Sequence, residues 1–508
     1  MHALKDLAVA RKRRISKISP IHKEKFAQYL TPIEIANFMA RLTVKHWKSK
    51  ENAAVLDPGA GSGILSYFLI NELYNKKGIL DLSMDAWEID DTIISELTRT
   101  YQNIKGSHFQ YNIYHKDFIN NISQDIYWNM SKQYDLVIMN PPYKKINSDS
   151  IYRNSLSDIG IETVNTYSAF MALAVKLLAD NGIITAIVPR SFCNGLYFLP
   201  FRKFLLDNTA ILHIHSFESR DNAFRDENVL QENIIIVLKK TREKQKCITI
   251  SLSKDKLFTG YNEKHLPYTD IISTNDEHMY ISIPTNTASI LKNILSCSNG
   301  DLYFDISTGP VVDFRAKEKL IFEPQPSLSL TLDEPNKNTC SKASCIPLLY
   351  PVHIRNQEIN WPFQSKKPNA IMLDDIELKK IAFVKGYYVL VKRFSSKEEK
   401  RRLYAAMLTP DSLPSDYFTV ENHLNIIHYK RGSLNKEIAI GLTAWLNTAF
   451  CDNLFRNFSG HTQVNATDLR NMKYPSFDTL IEFGRLVEGK KQDEYDQIFE
   501  KMVLKNEK

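Results

Sequence analysis

Residues 134–143 read Tyr134-Asp135-Leu136-Val137-Ile138-Met139-Asn140-Pro141-Pro142-Tyr143, and the fold turns on them. The apolar run ending at Met139 reads as a short buried strand. Asn140-Pro141-Pro142-Tyr143 then sits at its C-terminal mouth, where ligands bind in an open α/β sheet. Two prolines remove two backbone donors and hold Asn140 to extended conformations. The Asn140 amide and the Tyr143 ring are left rigidly presented, a pair suited to a planar ring bearing an amine. For these four residues in isolation, a proline-stiffened turn is the plain alternative.

Upstream residues add to the first reading. Residues 53–65 read as strand, glycine-rich turn and helix around Asp57-Pro58-Gly59-Ala60-Gly61-Ser62-Gly63. Gly59 and Gly61 allow a ligand close to the backbone. The turn lacks the Lys-Ser/Thr of a phosphate P-loop. Asp57 at the strand tip disfavours a pyrophosphate and suits an ammonium or hydroxyl. A second strand ends at Glu88, where a carboxylate accepts bonds from ribose hydroxyls. A third leaves through Asp117-Phe118, and Asp117 suits the amino group of an adenine held between apolar side chains. Asp57, Glu88, Asp117 and Asn140 thus fall at four successive strand ends, on one edge of a parallel sheet.

Ahead of them, Gln28-Tyr29-Leu30-Thr31-Pro32 reads as a loop able to lie across a pocket. The helix after it has Thr31 as N-cap, Pro32 in its first position and Glu34 three residues past the cap. Downstream, strands are expected at 182–189, 211–217 and 233–240, the last closing the sheet. His213 and His215 share one strand face with no third ligand in sight and read as structural; no metal site is expected.

The totals set the frame. At 508 residues the chain is too long for one core. The expected division is a basic arm (1–22, with Arg11-Lys12-Arg13-Arg14), a catalytic domain (23–245) and a C-terminal domain (246–508). A net charge of +7 permits a nucleic-acid partner. Six scattered cysteines have no metal-ligand spacing and require no disulfide. No apolar run has the length of a membrane span, and the basic arm lacks the apolar segment of a signal peptide. A reducing cytoplasm fits.

Asp57-Pro58-Gly59-Ala60-Gly61-Ser62-Gly63 followed by Asn140-Pro141-Pro142-Tyr143 resembles the N6-adenine DNA methyltransferases of the gamma order. There the cofactor motif precedes the catalytic motif, and a target-recognition domain follows both. Gln28-Tyr29-Leu30-Thr31-Pro32 matches the motif that family places before its glycine loop. The resemblance implies a Rossmann-like α/β methyltransferase sheet with a C-terminal α+β recognition domain, and S-adenosylmethionine as cofactor. The loop from Asp57 through Gly59 and Gly61 to Gly63 would hold its methionine part, with Tyr29 and Thr31 beside it. Glu88 would bind the ribose, Asp117 the adenine amine, and Phe118 would pack on the adenine.

An exocyclic adenine amine is a poor nucleophile, because its lone pair is delocalised into the ring. The Asn140 oxygen and the Pro141 carbonyl would accept its two hydrogens, and Tyr143 would stack on a base flipped from the duplex. Related enzymes cover the other face with an aromatic from a late loop; Phe224 is the candidate and Phe217 its competitor.

In the second half, 385–402 mixes aromatic and basic residues, as DNA contacts would. Ser459-Gly460-His461-Thr462-Gln463-Val464-Asn465 is polar enough to hydrogen-bond DNA. With Lys392-Arg393-Phe394-Ser395-Ser396, it is similar to the BsuBI/PstI modification group, which methylates adenine in CTGCAG. His423 and His428 lack a nucleophile partner. A Pro-Asp…Glu-x-Lys nuclease pattern before the core is absent. The expected partners are therefore double-stranded DNA and a separate restriction endonuclease cutting the same site, with the methyltransferase a monomer or weak dimer in a bacterial cytoplasm. Methylation of a protein glutamine or of RNA at the same tetrapeptide is the rival reading.

Overall fold

The computed structural model describes residues 31–217, 233–273, 279–283, 304–322, 343–395, 401–458 and 463–506, apart from a few single positions in the first two stretches, together with Asp301. Two compact units divide the chain, Met1–Ile283 and Pro284–Lys508.

The first unit is built on a nine-stranded sheet. Its strands are β1 (Asn52–Pro58), β2 (Asp81–Trp87), β3 (Phe109–Tyr114), β4 (Tyr134–Met139), β5 (Leu178–Pro189), β6 (Thr209–Phe217), β7 (Asn233–Lys240), β8 (Cys247–Ser253) and β9 (Asn262–Pro267). They lie in the order β3-β2-β1-β4-β5-β7-β6-β8-β9. The first five are parallel, and β7 runs antiparallel to both β5 and β6. The chain passes from β1 outward to β3 and then returns across β1 to form β4. That reversal opens a crevice at the carboxyl ends of β1 and β4, the usual ligand position in such sheets. The central strands are buried on both faces, as Leu136, Val137, Ile138 and Met139 all are. One face packs on helices α1 (Ile33–His46), α2 (Ile64–Lys77) and α3 (Asp91–Gln102). The other packs on α4 (Phe118–Tyr127), α5 (Ile151–Ser157), α6 (Thr166–Leu177) and α7 (Leu199–Asn208).

Two expectations are corrected. β7 does not close the sheet: β8 pairs in parallel with β6, and β9 adds antiparallel to β8. The unit therefore runs past the expected boundary at 245 to Ile283. The reason lies in residues 247–253, where alternate Ile and Ser/Thr side chains match β6 across the ladder. Thr31 is not the N-cap of α1 either. Pro32 takes that place, with no side-chain cap, and the Thr31 hydroxyl is used elsewhere.

His213 and His215 are fully buried and share Ser251: His213 Nε2 lies 2.7 Å and His215 Nδ1 2.8 Å from its Oγ. Burial lowers both to about 3, so they are neutral links between β6 and β8.

The second unit is α+β. A six-stranded sheet runs Asp305–Thr308, Leu424–His428, Tyr388–Lys392, Ala405–Leu408, Glu358–Ile359, Ile354–Arg355, and a five-stranded sheet lies beside it. Helices Lys436–Leu446 and Phe477–Val487 cross at Gly441, where a Cβ would meet Leu480 O at 2.0 Å. Among the described residues no helix is long and apolar enough to cross a membrane.

Candidate active site

The glycine turn after β1 is left-handed at three points: φ is +73° at Gly59, +56° at Gly61 and +77° at Gly63. Gly63 also has no room, since a Cβ would lie 2.7 Å from Leu97 Cδ1. Gly59 N and Ala60 N both donate to Trp87 O, at 2.8 and 2.9 Å. These bonds fold the turn against the end of β2 and bring it to Glu88.

Glu88 is 5% exposed. Its Oε2 accepts from Gly61 N at 2.8 Å, and its Oε1 from Ile89 N and Asp90 N at 2.9 Å each. Burial raises its pKa, and the three amides offset part of that rise. Asp117 caps α4 by accepting from Asn120 N at 2.8 Å, and it also accepts from the Tyr152 hydroxyl of α5. Phe118 is buried, with its ring centroid 5.7 Å from Trp87 and 4.9 Å from Phe170.

Asn140 is clamped. Its Nδ2 donates to Thr31 Oγ1 at 3.0 Å, and its Oδ1 is 2.9 Å from the Tyr143 hydroxyl. That hydroxyl also lies 3.0 Å from Ile187 O on β5, and the Tyr143 ring meets Tyr167 edge-on. Pro141 is buried, and among the described residues its carbonyl has no donor. The Pro142 carbonyl accepts from Thr166.

Of the residues expected in the site, Gly59, Gly61, Glu88, Asp117, Phe118 and Asn140 line one cleft of about 450 Å³, a size typical of small-molecule sites. Thr31 and Tyr143 do not line that cleft but hydrogen-bond to Asn140, and Pro141 joins it along the chain. Tyr29 and Phe224 lie outside the described residues. The competitor Phe217, at the end of β6, faces His215 and Phe258.

Asp57 is not on the cleft wall. It is fully buried beneath the glycine turn, where it accepts from Ser66, which in turn accepts from Tyr101 at 2.8 Å. Burial pushes its carboxyl up to about 7. Its Oδ1 has no partner among the described residues.

Trp87, Ile89, Tyr152 and Phe170 also line the cleft and were not singled out from the sequence. Trp87 and Ile89 flank Glu88 and carried a usable signal; Tyr152 and Phe170 sit in unremarkable helices.

The wall chemistry fits S-adenosylmethionine. Gly59 and Gly61, which line the cleft without side chains, leave backbone exposed for a small polar chain. The buried Glu88 carboxylate lines the cleft, whose aromatic and aliphatic walls suit a planar base. Among the described residues no group of three or more His, Cys, Asp or Glu is arranged around a metal position.

Known proteins resemble this chain. The Eco57I restriction-modification methylase family matches residues 32–224. The chain is 42% identical to the type II methyltransferase M.BsuBI of Bacillus subtilis over 505 residues, 96% of each chain. It is 36% identical to the type II methyltransferase M.PstI of Providencia stuartii, over 92% of this chain and 90% of that one. The solved type IIG restriction endonuclease BpuSI is similar over 95% of this chain and 67% of its own, with TM-score 0.49 and 16% identity. With likeness to two such enzymes running almost end to end, the chain belongs to the type II methyltransferases of restriction-modification systems.

Proposed function

We propose that the protein methylates the exocyclic N6 of an adenine in duplex DNA, using S-adenosylmethionine, and so protects a site from a separate restriction endonuclease. The observation that carries this reading is the junction of the Asn140 amide and the donor-free Pro141 carbonyl with the cleft bounded by Glu88, Asp117 and Phe118.

Glu88 would bind the ribose hydroxyls, and Asp117 the adenine amine, with Phe118 against the ring. The turn from Asp57 to Gly63 would take the methionine part. When bound, S-adenosylmethionine supplies an electrophilic methyl group on a sulfonium. Asn140 Oδ1 and Pro141 O then do the chain's share of the chemistry. Two acceptors on one NH2 group localise the nitrogen lone pair away from the ring, and fixed acceptors pay no reorganisation cost as charge develops. Thr31 holds the amide by its nitrogen end and so keeps the oxygen turned to the substrate. A base within a duplex cannot reach a cleft of this kind, so the adenine is taken out of the stack, with Tyr143 on one face and Phe224 on the other. By the resemblance of Lys392-Arg393-Phe394-Ser395-Ser396 and residues 459–465 to the BsuBI/PstI modification group, CTGCAG is the proposed site.

The test is incubation with methyl-labelled S-adenosylmethionine and duplexes of varied sequence, followed by mapping of the labelled base. N6-methyladenine at one defined site is expected. Label confined to RNA or to a glutamine side chain, or no label at all, refutes the proposal.

A further inference from the structure

The second unit brings two sequence segments together that lie far apart in the chain. The antiparallel bridge Phe394↔Gln463 joins the exit of the strand Tyr388–Lys392 to residues 463–465. Val464 N donates to Arg393 O at 2.7 Å, and Asn425 Nδ2 donates to Val464 O at 2.7 Å. Arg393 N donates to His423 O at 2.9 Å, which ties in the turn before the strand Leu424–His428. Three segments thus form one rigid corner.

The corner orients three side chains outward. Arg393 reaches Asn422 O through Nη1 at 3.1 Å and Gln463 Oε1 through Nη2 at 3.4 Å. Gln463 is half-buried; with its oxygen on Arg393, its NH2 group has no partner among the described residues and is left as a double donor. Glu421 is fully buried, and both its oxygens are spent on His423: one accepts from the backbone N–H at 2.9 Å, the other pairs with Nδ1. A buried carboxylate costs several kcal/mol to desolvate, yet this one is paired with an imidazole that is 43% exposed. Its effect is to fix the ring through Nδ1, which donates to the carboxylate, and to leave Nε2 to a ligand, as an acceptor in the neutral ring. The Phe394 ring lies 4.9 Å from the imidazole at 37° and is 48% exposed. Donor, acceptor and apolar face are presented side by side on a fixed frame, and base edges in the major groove are told apart by those three features.

From this geometry we infer that Gln463, His423 and Phe394 read base edges of the DNA target, with Arg393 and Glu421 as positioning residues. Gln463 faces an acceptor edge such as guanine O6/N7 or thymine O4; His423 Nε2 faces an amino group of cytosine or adenine; Phe394 meets a thymine methyl or a base face. The inference rests on the DNA reading proposed above.

The experiment uses the full chain, labelled S-adenosylmethionine and a pool of duplexes randomised around the parent's own site. Methylated sequences are read out for the parent, Gln463→Ala, His423→Ala and Phe394→Ala. Retained S-adenosylmethionine affinity and an unchanged melting curve establish that each variant is folded; Phe394→Ala, at an exposed ring, is the safeguard should His423→Ala fail that control. Gln463→Ala is expected to relax selectivity at one base pair and its symmetry mate, with KM for the parent site raised roughly ten- to a hundredfold. A higher KM with the same site set and a salt slope reduced by about one marks a phosphate contact and overturns the inference. So does an unchanged site set with unchanged KM in the folded variants. A parent that labels no duplex defeats the DNA reading itself, whereas a selective parent with equally selective variants defeats only this inference.

Discussion

Asn140 shows how one side chain is made ready by its neighbours. Thr31 holds its nitrogen, so its oxygen cannot flip out of place. Asn140→Ala removes the acceptor and is expected to lower turnover by roughly a hundredfold or more, the scale of losing one fixed charge-stabilising group. Calorimetry should find S-adenosylmethionine affinity within about threefold of the parent, because Glu88 and the glycine turn are untouched. Asp57 gives a prediction of the opposite kind. Its folded pKa is raised from 3.8 to about 7, so between those values the folded state keeps a proton that the unfolded state has lost. Stability from this group is full below pH 3.8 and is lost as pH rises through 7. Asp57→Asn stays neutral. Its melting temperature relative to the parent should climb between pH 5 and pH 8; a constant difference would show that Asp57 is charged in the fold. The strand-end rule made Glu88, Asp117 and Asn140 legible in the sequence, because each emerges where a parallel strand meets the crevice. The same rule placed Asp57 correctly along the chain but not its side chain. A strand-end acid can turn inward, and only the packing of Ser66 and Tyr101 under the turn shows that this one does.

Among the elements, the turn between β1 and α2 carries the greatest constraint. Gly63 combines φ of +77° with Leu97, Tyr101 and Thr100 in the space an added Cβ would take. Gly63→Ala adds backbone strain of about 1 kcal/mol or more to overpacking of about 1–3 kcal/mol. It should lower the melting temperature of the first unit and weaken S-adenosylmethionine binding together. Gly61→Ala has open space around it and should show the smaller loss in a parallel melt. Tyr152 and Phe170 escaped the sequence reading for a reason at this scale. Periodicity finds a helix and its buried face, but not which residue of that face looks into a cleft rather than a core. β8 and β9 escaped because residues 247–267 follow a charged stretch and carry no glycine-rich motif, so nothing local marked them as further strands of the sheet.

For the whole molecule, the consequence of that late pairing is a boundary that can be tested. A fragment ending at residue 245 leaves β6 with an open edge, and an open edge invites pairing with other chains. A fragment ending at Ile283 keeps β8 and β9 in place. The shorter fragment should aggregate; the longer should elute as a soluble species in gel filtration and bind S-adenosylmethionine. Equal solubility of the two would mean that β8 and β9 are dispensable. The parallel half of the sheet and its crevice were legible throughout, since strand–turn–helix units announce themselves locally. The corner at Arg393, His423 and Gln463 was not, because it exists only where three distant segments meet.

The Tyr143 hydroxyl has one hydrogen and two oxygens within reach, Asn140 Oδ1 at 2.9 Å and Ile187 O at 3.0 Å. Rotating from one to the other exchanges one hydrogen bond for another of nearly equal length, so the phenol can vacate the amide oxygen without losing a partner. On the proposed reading of the site, Tyr143 would serve as a placeholder on Asn140, occupying the seat when no base is present and yielding it when one arrives.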